Sequence, residues 1–154
     1  MSDLTFRDAT REDLPAIVAM LADDGVGGGR ETLVSEGVDP AYPAAFDDVA
    51  AQSGNRVVVV EQDGAPVGTF QLIMIPGLSR HGAKRAQIEA VRVKADLRGH
   101  GIGEAMLRYA VEEAKKAGCK LIQLTSDKRR GRAHTFYERL GFIATHIGFK
   151  MELK

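Results

Sequence analysis

Residues 98–103 read RGHGIG, and they stand between an apolar strand pattern at residues 88–93 and a helical pattern at residues 102–117. A helix N-terminus offers free backbone N–H groups and a partial positive charge, and glycine lets an anion approach the backbone closely. A plain strand-to-helix turn needs one glycine, whereas three alternating glycines indicate a phosphate site. The spacing matches neither the GxGxxG dinucleotide motif nor the P-loop, since position 104 is Glu104 and no Gly-Lys-Ser/Thr occurs.

On both sides of this turn, apolar periodicity predicts a series of strands and helices. The expected strands are residues 4–7, 56–61, 67–75, 88–93, 121–125, 142–145 and 147–153. The expected helices are residues 14–21, 102–117 and 132–140, with one or two short helices within residues 30–53 that are interrupted at Pro40 and Pro43. The glycine run at residues 25–29 predicts a mobile loop. This order predicts an α/β fold, a mixed sheet with helices on both faces.

Length and composition bound the class of protein. The chain has 154 residues, so we expect a single domain over residues 1–154. Its formal net charge is 0, which argues against a nucleic-acid partner held by bulk charge. The apolar runs are too short for a membrane span, and no signal peptide is visible. The single cysteine, Cys119, excludes an internal disulfide framework and fits a reducing compartment, so we expect a cytoplasmic protein.

The net charge conceals an asymmetry between the two parts of the chain. Residues 1–54 hold eleven acidic residues and three arginines, a formal charge of −8, which leaves +8 for residues 55–154. One interpretation is that these are ordinary solvated faces. The other is that an anionic ligand approaches the C-terminal part and a cationic one the N-terminal part. The sequence alone leaves both open.

The glycine turn also has the spelling of a known family. Arg98-x-x-Gly101-x-Gly103 matches the R/Q-x-x-G-x-G/A turn of GCN5-related N-acetyltransferases, and residues 133–142, AHTFYERLGF, resemble that family's A-x-x-F-Y-x-x-x-G-F segment. The order of elements agrees from residue 4 onward. The resemblance implies a mixed, mostly antiparallel central sheet with helices on both faces and a strand that splays away at an acetyl-CoA site.

The resemblance implies how acetyl-CoA is bound. Backbone groups of the fourth strand would pair with the pantetheine amides, and the N–H groups of the turn would hold the pyrophosphate. An asparagine common in the family is replaced here by Arg130, which puts a side-chain contact to the pantetheine arm in doubt. The candidate cofactor-binding residues are Val91, Arg92, Val93, Arg98, Gly99, His100, Gly101, Ile102, Gly103, Glu104 and Arg130. The four histidines show no paired ligand spacing, so we expect no metal.

Two side chains are candidate catalytic groups. By resemblance, Tyr137 lies near the thioester sulfur. The ordinary pKa of a phenol, about 10, exceeds that of a thiol, about 8.5, so Tyr137 stays protonated and able to donate a proton. Helical spacing alone favours a packed core aromatic, and the family motif favours the proton donor. Glu89 is the candidate base for the amine. A strand period of two predicts that Glu89, Val91 and Val93 share one face. The alternative is a solvent-facing glutamate. By resemblance, the Val91 N–H is the oxyanion donor.

These observations predict an acetyl-CoA-dependent N-acetyltransferase that transfers the acetyl group directly to a small primary amine. The basic residues 80–85 suggest that the amine also carries an acidic group. The alternatives are a non-catalytic CoA-binding or sensing domain, acetylation of a protein lysine or N-terminus, and a nucleic-acid-binding module. We expect no nucleic-acid or membrane partner. Whether the chain acts as a monomer or a homodimer stays open.

Overall fold

The structure, a computed structural model, describes residues 3–24, 28–31, 33–34 and 37–154. Its strands are β1 (Leu4–Asp8), β2 (Asn55–Gln62), β3 (Ala65–Ile75), β4 (Arg85–Val93) and β5 (Leu121–Leu124). Its helices are α1 (Leu14–Ala22), α2 (Ala41–Ala51), the single short turn α3 (Ser79–Gly82), α4 (Ile102–Lys116) and α5 (Gly131–Arg139). Within these described ranges, no helix has the length and apolar character needed to cross a bilayer.

The five strands form one sheet in the order β1-β2-β3-β4-β5. Neighbours from β1 to β4 are antiparallel, and β5 is parallel to β4 because α4 carries the chain back across the sheet. Asp63 and Gly64 join β2 to β3 with φ of 52° and 77°, the left-handed pair that a two-residue hairpin of this kind requires. The predicted mixed sheet, mostly antiparallel, is confirmed.

Two apolar layers cover the two faces of the sheet. On one face, Phe70, Leu72 and Ile88 pack with Met106 and Ala110 of α4 in the main core cluster. On the opposite face lie Val59 and Thr69, which are cross-strand partners. This second face packs against α1, whose buried residues are Leu14, Ile17, Val18 and Met20. The helices therefore enclose the sheet on both sides, as the sequence predicts.

The region between α1 and β2 contains one α-helix of eleven residues, α2, whereas the sequence predicted one or two short helices there. Both prolines are compatible with α2: Pro40 is its N-cap and Pro43 lies in its first turn, where a missing N–H removes no helical hydrogen bond. Of the predicted mobile loop, residues 25–27 lie outside the described residues. Residues 28–30 form a short 3-10 turn.

The predicted strands at residues 142–145 and 147–153 are wrong for this chain on its own. After Gly141 the chain has no helix or strand as far as residue 154. The alternating pattern is present, but the apolar side chains at its odd positions are exposed, since no strand of the same chain lies beside them. A period-two pattern specifies the shape of a strand only when a sheet edge is available to receive it.

The entry to α1 is stabilised by a buried carboxylate. Asp13 is 7% exposed and accepts hydrogen bonds from both terminal nitrogens of Arg7 (2.7 and 2.8 Å) and from the Thr10 backbone N–H (2.7 Å). Residues 10–13 read Thr-Arg-Glu-Asp, a sequence that predicts a helix-start box, and the structure forms that box. The hydrogen bonds from Arg7 hold the pKa of Asp13 below its usual value.

We expect Asp13→Asn to lower the free energy of unfolding by about 2 kcal/mol, because the cap remains but the ion pair is lost. A carboxylate whose pKa is lowered by folding stabilises the protein above its unfolded pKa of about 3.9 and loses that contribution as the pH falls through its lower folded value. The difference in the free energy of unfolding between wild type and variant should therefore become smaller at acidic pH. Urea unfolding at neutral and acidic pH measures both effects. Asp47→Asn is the control, since its ion pair with Arg11 is exposed; equal losses in the two variants would contradict the assignment.

Candidate active site

The sheet opens between β4 and β5. The two strands pair from Arg85 opposite Leu121 to Ile88 opposite Leu124, and β4 then runs on to Val93 without β5 beside it. An open strand edge inside a sheet presents backbone donors and acceptors to an extended ligand. The splayed strand of the predicted fold is therefore present, and it leads directly into the glycine turn.

The glycine turn has the conformation that its composition suggests. Gly99 and Gly101 have φ of 82° and 85°, and Gly101 is the N-cap of α4. A Cβ at either position would meet no atom within 4 Å, so the backbone here is open. Gly103 differs: a Cβ there would lie 3.4 Å from the Phe136 ring, so this glycine permits α5 to approach α4. Two of the three glycines thus leave the backbone of the turn open, and the third permits close packing of the two helices.

Polar side chains fasten the turn to its surroundings. Arg98 Nε donates to the Val93 carbonyl (3.1 Å), and its Nη2 donates to the Asp23 carbonyl at the end of α1 (2.9 Å). His100 Nδ1 lies 3.1 and 3.0 Å from the carbonyls of Leu97 and Arg98, so its ring folds back on the turn. Ile102, the first residue of α4, is buried, and Glu104 forms an i,i+4 ion pair with Arg108. Arg98 is therefore a structural support of the turn as well as a charge beside it.

A β-bulge at Ala90 changes which side chains of β4 lie together. Ala90 has φ of 53°, and the four residues of β4 from Glu89 to Arg92 lie opposite the three residues of β3 from Gln71 to Thr69. The extra residue reverses the alternation. The expectation that Glu89 shares a face with Val91 and Val93 is therefore wrong.

After the bulge the two valines pack against the main core cluster, next to α4. Glu89 and Arg92, which pair with Gln71 and Thr69, lie on the opposite face, next to α1. Glu89 is exposed there and accepts a hydrogen bond from Gln87 Nε2 (2.9 Å). The bulge thus brings a carboxylate and a guanidinium to the same side of the strand.

Two arginines converge on one buried carboxylate on this face. Asp24, whose side chain is 4% exposed, accepts from Arg92 Nη2 (2.8 Å) and from Arg130 Nη2 (2.5 Å). Arg92 also donates from Nη1 to the Val91 carbonyl (2.8 Å), while its Nε is buried and has no hydrogen-bond partner among the described residues. Burial lowers the pKa of Arg92, and the neighbouring charges of Arg130 and Arg30 lower it further against the opposing effect of Asp24. The cluster therefore carries excess positive charge.

Tyr137 lies beside this cluster on α5. Burial raises the pKa of Tyr137, and the charges of Arg130 and Arg92 oppose that shift only in part. Its ring centroid lies 5.4 Å from that of Phe136 and 6.0 Å from that of Phe142, so the aromatic body packs in the core. The phenol is therefore protonated at neutral pH. The two interpretations of Tyr137, core aromatic and proton donor, are compatible in one side chain.

Two shallow clefts flank the turn. One, of about 320 Å³, is lined by His100, Gly101 and Ile102 together with residues of β1. The larger, of about 480 Å³, is lined by Asp23, Lys94 and Asp96 with small residues of α1, and Tyr137 is not part of its wall. The splay is the candidate site because of the chemistry of its side chains rather than because of cleft size. In the described parts of the chain, no three His, Cys, Asp or Glu side chains are grouped as metal ligands.

The comparisons with known proteins agree with this geometry. The sequence profile of the Acetyltransferase (GNAT) family matches residues 29–142. The strand splayed beside a glycine-capped helix agrees with this match, and the chain belongs to the GNAT family. It is therefore an enzyme, an N-acetyltransferase.

Three similar proteins illustrate the relationship. The aminoalkylphosphonate N-acetyltransferase of Salmonella typhimurium is 31% identical over 96% of this chain and 90% of its own. The glucosamine 6-phosphate N-acetyltransferase of Trypanosoma brucei brucei is 29% identical over 98% of this chain and 97% of its own. A Bacillus halodurans protein solved as a transcriptional regulator superposes with a TM-score of 0.94 at 42% identity, covering 98% of this chain and 100% of that one.

Sequence reasoning missed Asp24 as a candidate site residue and treated Arg92 only as a candidate for binding the cofactor. No local signal marks Asp24, because its partners lie 68 and 106 residues away along the chain. The sequence suggested that the basic residues 80–85 meet an acidic group of the amine. In the structure, Arg80 and His81 are exposed in α3, and Arg85 donates a hydrogen bond to Gln123 (3.1 Å). Ion pairs between the two parts of the chain also reduce the charge asymmetry in the folded protein. Asp8 pairs with Arg56, and Asp24 pairs with Arg92 and Arg130.

Proposed function

We propose that the enzyme is an acetyl-CoA-dependent N-acetyltransferase whose acceptor is a small primary amine that also carries an anionic group, such as a phosphonate or phosphate. The observation that carries the choice of acceptor is the convergence of Arg92 and Arg130 on Asp24 beside Tyr137. One carboxylate leaves this guanidinium pair with a net positive charge, which an oxyanion can compensate through charge-assisted hydrogen bonds.

The names of two similar enzymes support the same chemistry. Aminoalkylphosphonate and glucosamine 6-phosphate each combine an amine with a phosphorus oxyanion. On this chain, Glu89 lies on the same face as Arg92 and offers a carboxylate for the ammonium group. A site with two acidic and two basic side chains suits a zwitterionic acceptor better than a neutral alcohol or thiol.

The residues of the splay and the turn fit acetyl-CoA as cosubstrate. The open edge of β4 near Val91 and Val93 suits the pantetheine amides, and the left-handed Gly99 and Gly101 expose backbone N–H groups for the pyrophosphate. Acetyl-CoA supplies an activated acetyl thioester. The carbonyls of Val91 and Val93 accept side-chain hydrogen bonds from Arg92 and Arg98, but each carbonyl oxygen keeps a second lone pair for a ligand.

The chain's own groups divide the proton transfers between them. Glu89 takes a proton from the ammonium, directly or through water, so that the amine can attack. The main-chain N–H of Val91 donates to the oxygen on which negative charge develops. Tyr137 gives its phenolic proton to the sulfur that leaves and is reprotonated from solvent. After the attack the nitrogen loses a second proton to solvent, which equals the proton that Tyr137 delivers and then recovers, and Glu89 releases its own proton to solvent. Each turnover therefore yields the amide, the free thiol of CoA and one proton.

An acceptor panel tests the proposal. Amines with a phosphonate or phosphate should be acetylated with a kcat/KM about tenfold or more above that of neutral amines of the same size, because one charge-assisted hydrogen bond contributes about 1.5–3 kcal/mol. Release of free thiol from acetyl-CoA is the measurement. Turnover of hydroxyl or thiol acceptors with every amine at background would contradict the assignment of an amine.

Arg130→Gln isolates the anion contact, since Arg92 remains to pair with Asp24. We expect kcat/KM for the anionic amine to fall about tenfold, mostly through KM, while the neutral amine is little affected. Arg129→Gln is the matched control, because Arg129 is exposed and paired with Asp127. Equal losses of kcat/KM for anionic and neutral acceptors would make Arg130 a structural residue. The assignment of the chain as an N-acetyltransferase would still stand.

A further inference from the structure

Four polar side chains of β4 and β5 form a continuous hydrogen-bonded chain that ends on Glu89. Arg85 Nη1 donates to Gln123 Oε1 (3.1 Å), and Gln123 Nε2 donates to Gln87 Oε1 (2.6 Å). Gln87 Nε2 in turn donates to Glu89 Oε1 (2.9 Å). The first three of these residues are half-buried, whereas Glu89 is exposed. The hydrogen-bonded chain therefore connects a sheltered guanidinium to the carboxylate that serves as the base in the proposed function.

The two ends of this hydrogen-bonded chain fix the direction of both amides between them. A guanidinium can only donate hydrogen bonds, and an ionised carboxylate can only accept them. Because Arg85 donates to the amide oxygen of Gln123, the amide nitrogen of Gln123 turns toward Gln87. The amide nitrogen of Gln87 then turns toward Glu89. Reversing either amide would place two donors or two acceptors against each other, so one orientation is favoured and it presents an N–H group to Glu89.

The hydrogen-bonded chain lies at the point where the sheet opens. Gln87 and Gln123 are cross-strand partners, and the next pair, Ile88 with Leu124, is the last before the splay. Glu89 is the first residue of β4 beyond that pair. Its side chain is thus tied to both strands that border the splay, through Gln87 on its own strand and Gln123 on β5.

We propose that Gln87, oriented by Gln123 and Arg85, is a positioning residue for Glu89, a role that rests on the proposed function of Glu89 as the base. A glutamate on an exposed strand face can adopt many rotamers, and a base is effective only within hydrogen-bond reach of the proton that it removes. The hydrogen bond from Gln87 occupies Oε1 and restricts the side chain, which leaves Oε2 to meet the ammonium group in the splay. Gln87 acts through Glu89 and takes no proton itself.

Gln87→Met tests this role, because methionine has nearly the shape of glutamine but cannot donate a hydrogen bond. We expect the single-turnover rate with the preferred amine to fall about tenfold, while the affinity for CoA and the fold stay unchanged. Gln71→Met is the matched control. Gln71 lies opposite Glu89 on β3, but its amide donates to Asn55 (2.8 Å), so this variant should keep the wild-type rate. A wild-type rate in Gln87→Met, or an equal loss in both variants, would overturn the proposal.

A double-mutant cycle separates positioning from a structural role. Glu89→Gln removes the base, so adding Gln87→Met to it should cause no further loss of rate, because Gln87 acts only through the carboxylate. A further loss of the same size in the double variant would make Gln87 a structural residue. A wild-type rate in Glu89→Gln would remove Glu89 from the proposed function, and the positioning role with it. A slow Glu89→Gln beside an unaffected Gln87→Met would overturn the positioning role alone.

Gln123→Met tests the rest of the hydrogen-bonded chain. This variant keeps Gln87 but frees its amide to rotate, so we expect a loss of rate smaller than that of Gln87→Met and absent in the Glu89→Gln background. Circular dichroism and urea unfolding confirm that each variant folds. An unchanged rate in Gln123→Met, or a loss that persists in the Glu89→Gln background, would contradict the orienting role of Gln123.

Discussion

Tyr137→Phe should lower kcat on the order of 100-fold while leaving the fold and the affinity for CoA nearly unchanged. The substitution removes one hydroxyl and keeps the ring contacts with Phe136 and Phe142. If Tyr137 delivers the proton to the leaving sulfur, its loss acts on the chemical step. Single-turnover kinetics with the preferred amine, together with a calorimetric CoA titration, separate the chemical step from binding and product release.

Tyr109→Phe is the matched control for this experiment. Tyr109 is the same residue type on α4, where its hydroxyl accepts a hydrogen bond from Arg56 (3.0 Å) and its ring stacks on Phe6. We expect its loss to affect stability and leave kcat unchanged. Because burial raises the pKa of Tyr137, kcat of the wild type should not fall through loss of the phenolic proton until the pH exceeds the usual tyrosine value of about 10. Equal single-turnover rates for wild type and Tyr137→Phe would return Tyr137 to a packing role.

Gly101→Val should weaken CoA binding on the order of 10- to 100-fold. Gly101 caps α4 with φ of 85°, and valine at that φ is strained and covers the N–H groups at the start of the helix. There is room for the side chain in the folded protein, since a Cβ meets nothing within 4 Å. Titration calorimetry with CoA measures the effect, and circular dichroism confirms that the variant folds.

Gly118→Val separates backbone strain from loss of the anion site. Gly118 follows the other end of α4 with φ of 79°, and a Cβ there also meets nothing within 4 Å. The control should therefore have a similar cost in stability, about 1–2 kcal/mol, and no cost in CoA affinity. CoA binding that is unchanged in folded Gly101→Val, or equally weakened in both variants, would remove the phosphate assignment from the turn.

Local chemistry made most of the elements predictable. The Asp63–Gly64 turn, the capping box at Thr10 and Asp13 and the glycine turn before α4 each depend on a few adjacent residues, so their sequence carries the full signal. The helices predicted from apolar periodicity are present in the structure for the same reason. Placement of Tyr137 on α5 beside the splay followed from the family motif rather than from periodicity, which could not separate a core aromatic from a proton donor.

The arrangement of the site depended on contacts that no local pattern encodes. The bulge at Ala90 places Glu89 on the face opposite Val91 and Val93, because one extra residue in a strand reverses the alternation of its side chains. No residue near Ala90 in the sequence signals this bulge.

The sequence by itself determined the family, the glycine turn and the order of the main elements as far as α5. Only the tertiary structure decided that Asp24 joins Arg92 and Arg130, since the three residues meet through the packing of α1, β4 and α5. It also decided that the strand pattern of residues 147–153 has no partner within one chain. Periodicity reports what a segment can form, whereas pairing depends on an edge that distant parts of a fold, or a second molecule, must provide.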